Sequence, residues 1–334
     1  MNPKVSIIIL NWNSWKETIE CLESVYQINY PNYDVIVVDN GSEDNSIQKI
    51  KEYCTGKIKV RSNFLKYNID NKPIMVLEYP RKEIESKTNS GKKIIANLPP
   101  NRKLIIIKNE ENYGFTEGNN VGIRFALNAL NPDYILLLNN DTVVDKEFLS
   151  ELVKVAESDE KIGLVGPKIY YYDEPKKINF IGGLINYWLG NWHIIGQNEI
   201  DYGQYENVVE VDWVNGCCFI IRNETLKCTG LLDSRFPMGY EDVDISLRAL
   251  KCNFRIFATG KSKIWHKIGA SRKKSKKLKK LRHYIKYFYY TFGTKLLLIG
   301  KHWRGVKLVT ALIFNIIYIP YWTFRYILLH LVSQ

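Results

Sequence analysis

The chain has 334 residues, 46% hydrophobic and 25% charged, the balance of a globular protein with a full core of one or two domains rather than of a disordered or fibrous one. Of its 47 basic groups, 17 lie from residue 261 onward, where there is no acidic residue, which leaves 30 against 35 acidic groups in the first 260. The net charge of +12 therefore belongs to the tail, and the mildly acidic body does not read as a nucleic-acid binder.

Val5–Leu10 is short, apolar and rich in β-branched residues, as a buried strand is. It is too short for a signal peptide and ends in Asn11-Trp12-Asn13. Ser14 and Glu17 have capping-box spacing, and Ile19, Leu22, Val25 and Tyr26 give one helical face. Asp34–Asp39 is a second buried strand, followed by Asn40-Gly41-Ser42 and another helix. This β-α-β-α opening predicts a mostly parallel sheet with right-handed crossovers. Ligands of such sheets bind at the carboxyl ends of strands, where Asn11, Asn13, Asp39 and Asn40 lie.

Residues 62–103 are Lys- and Asn-rich, with one short strand-like run at Ile74–Leu77, and read as an exposed insertion carrying a small hairpin. Leu104–Lys108 returns to the sheet. The segment Asn112–Gly122 then opens a helix with small and amide residues that suit close approach to a phosphate or sugar. Tyr134–Leu138 is the next central strand and ends in Asn139-Asn140-Asp141. A carboxylate there either caps a turn or takes a hard divalent cation bridging to a diphosphate. Residues 168–207 are aromatic-rich and read mainly as a layer packed on the sheet. Val208–Arg222 reads as one long strand bent at Asn215-Gly216, with Trp213 lining the site. Met238–Arg248 places Glu241, Asp242 and Asp244 in a first helical turn, where the macrodipole favours acids in any case. A strand at Phe254–Ala258 and the run Lys263–Ser271, which contains His266, close the body. The six cysteines (Cys21, Cys54, Cys217, Cys218, Cys228, Cys252) show no metal-binding spacing and read as reduced core thiols of a cytosolic protein.

The ordered set resembles the family 2 glycosyltransferases, rhamnosyltransferase-like branch. The matching pieces are Val5–Asn13, Val37–Ser42, Asn112–Phe115 with Gly118–Gly122, Leu136–Asp141, Asn215–Cys217, Gly230–Asp233, Gly239–Arg248, and His266 with Ser271. The resemblance implies an α/β fold of GT-A type over residues 1–270, a Rossmann-like mostly parallel sheet with helices on both faces. Its nucleotide half would span about 1–141 and its acceptor half about 142–270. It implies that Asp39 holds the pyrimidine base. Asn11, Asn13, Asn40, Ser42, Asn112, Gly114, Phe115, Asn119, Asn120, Asn139 and Asn140 would line nucleotide and donor sugar. Asp141, last residue of a D-x-D motif whose first carboxylate is Asn139 here, and His266 would hold Mg²⁺ or Mn²⁺. Asp242 would be the base of an inverting transfer, and Trp213, Glu241 and Arg248 would serve the acceptor, with Arg248 paired to a nearby carboxylate. Asp244 reads as no more than a first-turn acid. The branch implies a dTDP- or UDP-sugar donor, rhamnose among the sugars, and a glycan or lipid-linked acceptor in cell-envelope polysaccharide synthesis.

The tail, 271–334, opens with eight basic residues in Arg272–Arg282, continues with aromatics over Tyr284–Tyr290 and Leu296–Ile299, and holds 17 uncharged residues in Leu308–Phe324. That length is marginal for a span, and Asn315, Pro320 and Arg325 argue against one. Amphipathic or re-entrant helices lying on the cytoplasmic face of a membrane fit better, the basic run on anionic headgroups. Two other readings stay open: a nucleotidyltransferase, which lacks its usual basic glycine-rich loop after the first strand here, and an inactive membrane-bound carbohydrate-binding protein.

Overall fold

The computed structural model describes residues 2–85, 102–237, 239–268 and 292–332. Met238, Ser271, the basic run Arg272–Arg282, Tyr284–Tyr290 and most of the insertion's second half fall outside them.

The chain alternates as its apolar pattern predicts. Strand β1 (Val5–Asn11) leads to α1 (Trp15–Val25), β2 (Tyr33–Asp39) and α2 (Ser46–Cys54). Then come β3 (Met75–Pro80), α3 (Arg81–Glu85), β4 (Lys103–Lys108), α4 (Gly114–Phe125), β5 (Tyr134–Asn139), β6 (Thr142–Val144) and α5 (Phe148–Ala156). The second half holds β7 (Ile162–Tyr171), β8 (Ile178–Phe180), the hairpin of β9 (Gly183–Asn186) and β10 (Asn191–Ile194), and β11 (Val208–Glu210). It closes with β12 (Cys218–Arg222), α6 (Asn223–Thr229), α7 (Glu241–Lys251) and β13 (Arg255–His266). Two helices follow, α8 over residues 292–302 and α9 (Gly305–Val332).

Among the described residues the main sheet runs β11-β13-β7-β12-β5-β1-β2-β4-β3. Strands β3, β4, β2, β1 and β5 are parallel, and β12 enters antiparallel between β5 and β7. Side chains alternate across a strand, so β1 feeds two cores. Val5, Ile7 and Ile9 pack with residues of α1, α2 and α5, while Ile8 packs on the opposite face with residues of α4 and α7. Each of these isoleucines is fully buried, which is worth about 1.5–3 kcal/mol apiece. The ends of β1, β2 and β5 therefore meet at one edge, fixed by burial on both faces.

Gly118 and Gly122 explain how close α4 comes to that sheet. A Cβ at Gly118 would lie 2.6 Å from Leu10 Cδ1, and one at Gly122 would lie 2.7 Å from Ile8 Cγ2. Their smallness serves helix–sheet contact, where the sequence suggested approach to a ligand.

Four expectations are corrected. The insertion carries no hairpin in its described part; β3 joins the sheet as a parallel edge beside β4. Residues 208–222 form two strands, because the chain leaves β11 to lay Trp213 against Gly183 and returns at β12. The last two strand-like runs are one strand, β13, with a register shift at Thr259/Lys263. Cys228 and Cys252 form a disulfide joining the ends of α6 and α7, so only Cys21, Cys54, Cys217 and Cys218 are the buried thiols expected.

The tail folds back. Trp303 Nε1 donates to Tyr187 O at 2.7 Å, and Asn315 Nδ2 donates to Leu189 O at 2.8 Å. Asn315 thus meets the hairpin turn, while Val306, Val309, Ile313, Ile316 and Ile317 stand exposed along α9. Helix α9 continues past Pro320. No helix among the described residues is long and apolar enough to cross a membrane.

Candidate active site

At the ends of β1 and β2, Asp39 Oδ1 accepts from Asn11 Nδ2 and from Ser42 Oγ, each at 2.7 Å. Its Oδ2 accepts from the Ser42 N–H at 3.1 Å. Asn13 sits in the left-handed region (φ 50°), where Asn is among the tolerated residues. Its N–H donates to Ser42 Oγ, and its Oδ1 accepts from the Glu43 and Asp44 N–H groups. Asn40 reaches the loop before α4: its Nδ2 donates to Asn112 Oδ1 at 2.9 Å and to Gly114 O at 3.0 Å. Asp39 and Asn40 are thus held in a pre-formed cradle.

Two amides assigned to the donor are structural. Asn120 is buried; its Nδ2 donates to Leu232 O and its Oδ1 accepts from Leu232 N–H, across 112 residues. Asn119, also buried, donates to Phe115 O one turn back in α4. Phe115 itself is half-buried.

At the end of β5, Asn140 Nδ2 donates to Thr18 Oγ1 at 2.9 Å, and Thr18 donates to Asn11 Oδ1 at 2.8 Å. Thr18 had no visible sequence signal, yet it ties two strand ends together. Asp141 Oδ1 lies 3.1 Å from His266 Nε2, because β13 pairs with β6 through His266 and Thr142. Burial opposes ionisation of Asp141, yet the imidazole's hydrogen bond and charge hold its carboxyl below the usual range. Burial likewise opposes a charged His266, but Cys217 and Asp141 lift it to about 10. Among the described residues no cluster of three or more His, Cys, Asp or Glu could hold a metal ion. A carboxylate plus an imidazole is nonetheless an adequate protein share for Mg²⁺ or Mn²⁺, which take their remaining ligands from water and phosphate.

At the start of α7, Asp242 Oδ2 accepts the Gly216 N–H at 2.7 Å and Oδ1 accepts the Val243 N–H at 2.8 Å. A Cβ on Gly216 would come within 3.0 Å of Glu241 Oε1 and 3.2 Å of Asp242 Oδ2, so glycine lets both carboxyls close on the turn. Burial, then the Asp242 charge, push Glu241 up to about 8. Burial also raises Asp242, against the backbone N–H groups that favour its charged form. Asp242 keeps partial solvent access, and Glu241 Oε2 has no hydrogen-bond partner among the described residues.

The turn Asn215–Cys217 joins these groups. Gly216 N–H holds Asp242, Cys217 meets His266, and Cys217 O accepts the Asn139 N–H at 2.8 Å. The acidic pair and the Asp141–His266 pair thus flank three consecutive residues.

Of the acceptor candidates, only Glu241 is here. Arg248 pairs with a nearby carboxylate, Asp244 at 2.8 Å, and donates to Thr229 O, away from the turn. Trp213 is buried in the core between Phe180 and Trp192, and its indole would overlap any Cβ at Gly183. Arg81, in the insertion, stacks on Tyr113 at 4.4 Å and pairs with Glu117 at 3.1 Å. It supports the loop before α4, a role its Lys-rich setting hid.

A family profile described as "Glycosyl transferase family 2" matches residues 6–68, and one described as "Glycosyltransferase like family 2" matches residues 85–284. The chain is 30% identical over 149 residues to the low-salt glycan biosynthesis hexosyltransferase Agl10 of Haloferax volcanii, covering 43% of this chain and 46% of that one. It is 26% identical over 264 residues to a hyaluronan synthase-related protein of Xenopus laevis, covering 73% and 42%. The chain thus spans less than half the length of these relatives. Its fold matches the mannosyltransferase PcManGT of Pyrobaculum calidifontis, solved with GDP-Man and Mn²⁺, at TM-score 0.56 and 13% identity, over 96% of this chain and 72% of that one.

Proposed function

The chain belongs to the family 2 glycosyltransferases, and from that premise we propose that it transfers a sugar from a nucleotide diphosphate sugar to an acceptor hydroxyl, with inversion and with Asp242 as base. The observation that carries this is the Asn215–Cys217 turn, with a carboxylate pair on one side and a carboxylate–imidazole pair on the other. The acceptor oxygen attacks the anomeric carbon, the bond from that carbon to the diphosphate oxygen breaks, and the nucleoside diphosphate leaves with the electron pair. Asp242 takes the hydroxyl proton. Glu241, whose proton is held more tightly than an ordinary glutamate's by burial and the Asp242 charge, offers an O–H to orient the acceptor. Asp39 and Asn11 receive the base, and the Asn40–Asn112 bridge shapes the donor side. Asp141 and His266, the latter as the neutral imidazole once a cation displaces its proton, would hold Mg²⁺ or Mn²⁺, which would neutralise charge on the diphosphate. The donor half is residues 1–141 and the acceptor half 142–270.

The acceptor is a glycan or lipid-linked saccharide, and the tail keeps the enzyme on the cytoplasmic face of a membrane. The exposed row Val306, Val309, Ile313, Ile316 and Ile317 supports this, as does the basic run before it. Full-length protein is expected to float with vesicles containing anionic lipid; equal recovery in the unbound fraction with and without vesicles overturns the membrane reading. The catalytic reading is tested by hydrolysis of dTDP-rhamnose, UDP-glucose, UDP-N-acetylglucosamine and GDP-mannose with Mn²⁺. Turnover of at least one is expected, with the dTDP- or UDP-sugars preferred, and inertness toward all four rejects it.

A further inference from the structure

We infer that the C-terminal arm is part of the catalytic apparatus: Asp244 is the buried anchor through which α8 positions the helix that carries Glu241 and Asp242. The inference rests on the glycosyltransferase reading for its kinetic consequence only.

An acid in a first helical turn is ordinary when it is exposed. Asp244 is fully buried, and a buried carboxylate is destabilising unless its oxygens are paired. Arg248, on the same helix, serves Oδ2 at 2.8 Å. Among the described residues Oδ1 is served by the arm: Lys301 Nζ lies at 2.6 Å and His302 Nε2 at 2.7 Å. Lys251 Nζ stands 3.0 Å from His302 Nδ1. An ammonium can only donate, so Nδ1 accepts and Nε2 carries the N–H toward Asp244. Lys301 also reaches Asp233 at 2.7 Å, which fixes it between two carboxylates.

A second contact meets the other end of the same turn. Tyr240, the residue before α7, has a left-handed backbone (φ 72°), a conformation a bulky side chain adopts only when its surroundings hold it. Its ring lies against Trp192 at 5.2 Å, and Lys295 of α8 sits 4.5 Å from the Trp192 ring centre. The arm thus bears on α7 on both sides of Glu241 and Asp242, through Trp192 before them and through Asp244 after them. Asp244 and His302 are positioning residues; neither is placed to touch substrate.

The test uses the full chain and three variants: Asp244→Asn, His302→Ala and His302→Gln, the last keeping an N–H donor. Hydrogen exchange is read in α7 and α8, and hydrolysis of UDP-glucose, dTDP-rhamnose and GDP-mannose supplies kcat, donor KM and the pH profile. Exchange in both helices is expected to rise together in Asp244→Asn and His302→Ala. In both, kcat falls at least tenfold with donor KM within twofold of wild type, and the acid limb of the pH profile moves. His302→Gln recovers most of the rate. Unchanged α7 exchange in both disruptive variants overturns the inference, as does a wild-type rate and pH profile with α8 exchanging freely. If the wild type hydrolyses none of these three donors nor UDP-N-acetylglucosamine, the glycosyltransferase reading fails and the exchange data alone decide the coupling.

Discussion

Asp242→Asn is expected to lower sugar transfer by about 10²–10⁴-fold, the range for loss of a positioned general base, with donor affinity within about twofold. Asn keeps the size of the side chain and one oxygen, which can accept the Gly216 N–H while the bond from the Val243 N–H is given up, so the turn loses one of its two bonds to this side chain, and no group remains to take the hydroxyl proton. The residues proposed to bind the donor, Asp39, Asn11 and Asn40, bond to one another or to neighbouring loop residues and not to Asp242. Binding of a nucleotide sugar by calorimetry, set beside turnover, checks both halves; retained turnover removes Asp242 from the role. The pH profile supplies an independent check. Asp242 must be ionised to act, and its pKa is raised by burial, so the rate climbs with pH through a limb above the ordinary carboxylate range. Glu241, raised to about 8, loses its proton above that, and the rate falls again. The same shift enters stability. A carboxyl raised in the folded state favours folding fully below its ordinary value of 4.5 and loses that contribution as pH rises through about 8. Glu241→Gln is neutral at every pH and should remove the alkaline limb.

The residues proposed for the first half of the site could be located from the sequence because they sit directly at the ends of apolar strands, and burial on both faces fixes where those strands stop. Asp39, Asn40 and Asp141 follow from that rule without knowledge of long-range contacts. Asn119 and Asn120 were misread because an amide in a helix gives no sign of whether it faces a ligand or a distant backbone; Asn120 found Leu232. Trp213 was misread for a related reason. Alternation along a strand predicted its face, but the chain there is not a strand: it crosses to Gly183. Asp244 shows the limit most clearly. Its position in a first turn had a sufficient local explanation, and the groups that pair with it, Lys301 and His302, lie 57 and 58 residues later in a segment whose composition suggested only a membrane. The disulfide between Cys228 and Cys252 is the same kind of fact, a pairing made by the packing of α6 and α7 rather than by spacing.

Asp141→Asn is expected to abolish stimulation of donor hydrolysis by Mn²⁺ and to reduce the saturated rate by about 10²-fold or more, since charge neutralisation on the diphosphate is worth several kcal/mol. The loss should exceed that of a two-carboxylate site, because position 139 is Asn and no second acid of the motif remains to compensate. The change also leaves His266 without its carboxylate partner at 3.1 Å, so His266→Ala should mimic part of the defect while His266→Asn, which keeps a polar atom near Asp141, retains more. The converse experiment is more discriminating. Asn139 ends β5 two residues before Asp141, its backbone N–H donates to Cys217 O, and it is half-buried. Asn139→Asp leaves that backbone bond intact and adds one negative charge. It should tighten Mn²⁺ binding by about tenfold, the scale on which altering a metal site's supporting groups moves affinity. Electron paramagnetic resonance of Mn²⁺ titrated in the presence of UDP reads this directly, without turnover. If Asp141→Asn binds Mn²⁺ as wild type does and Asn139→Asp binds it no more tightly, the cation lies elsewhere and Asp141 is a structural partner of His266.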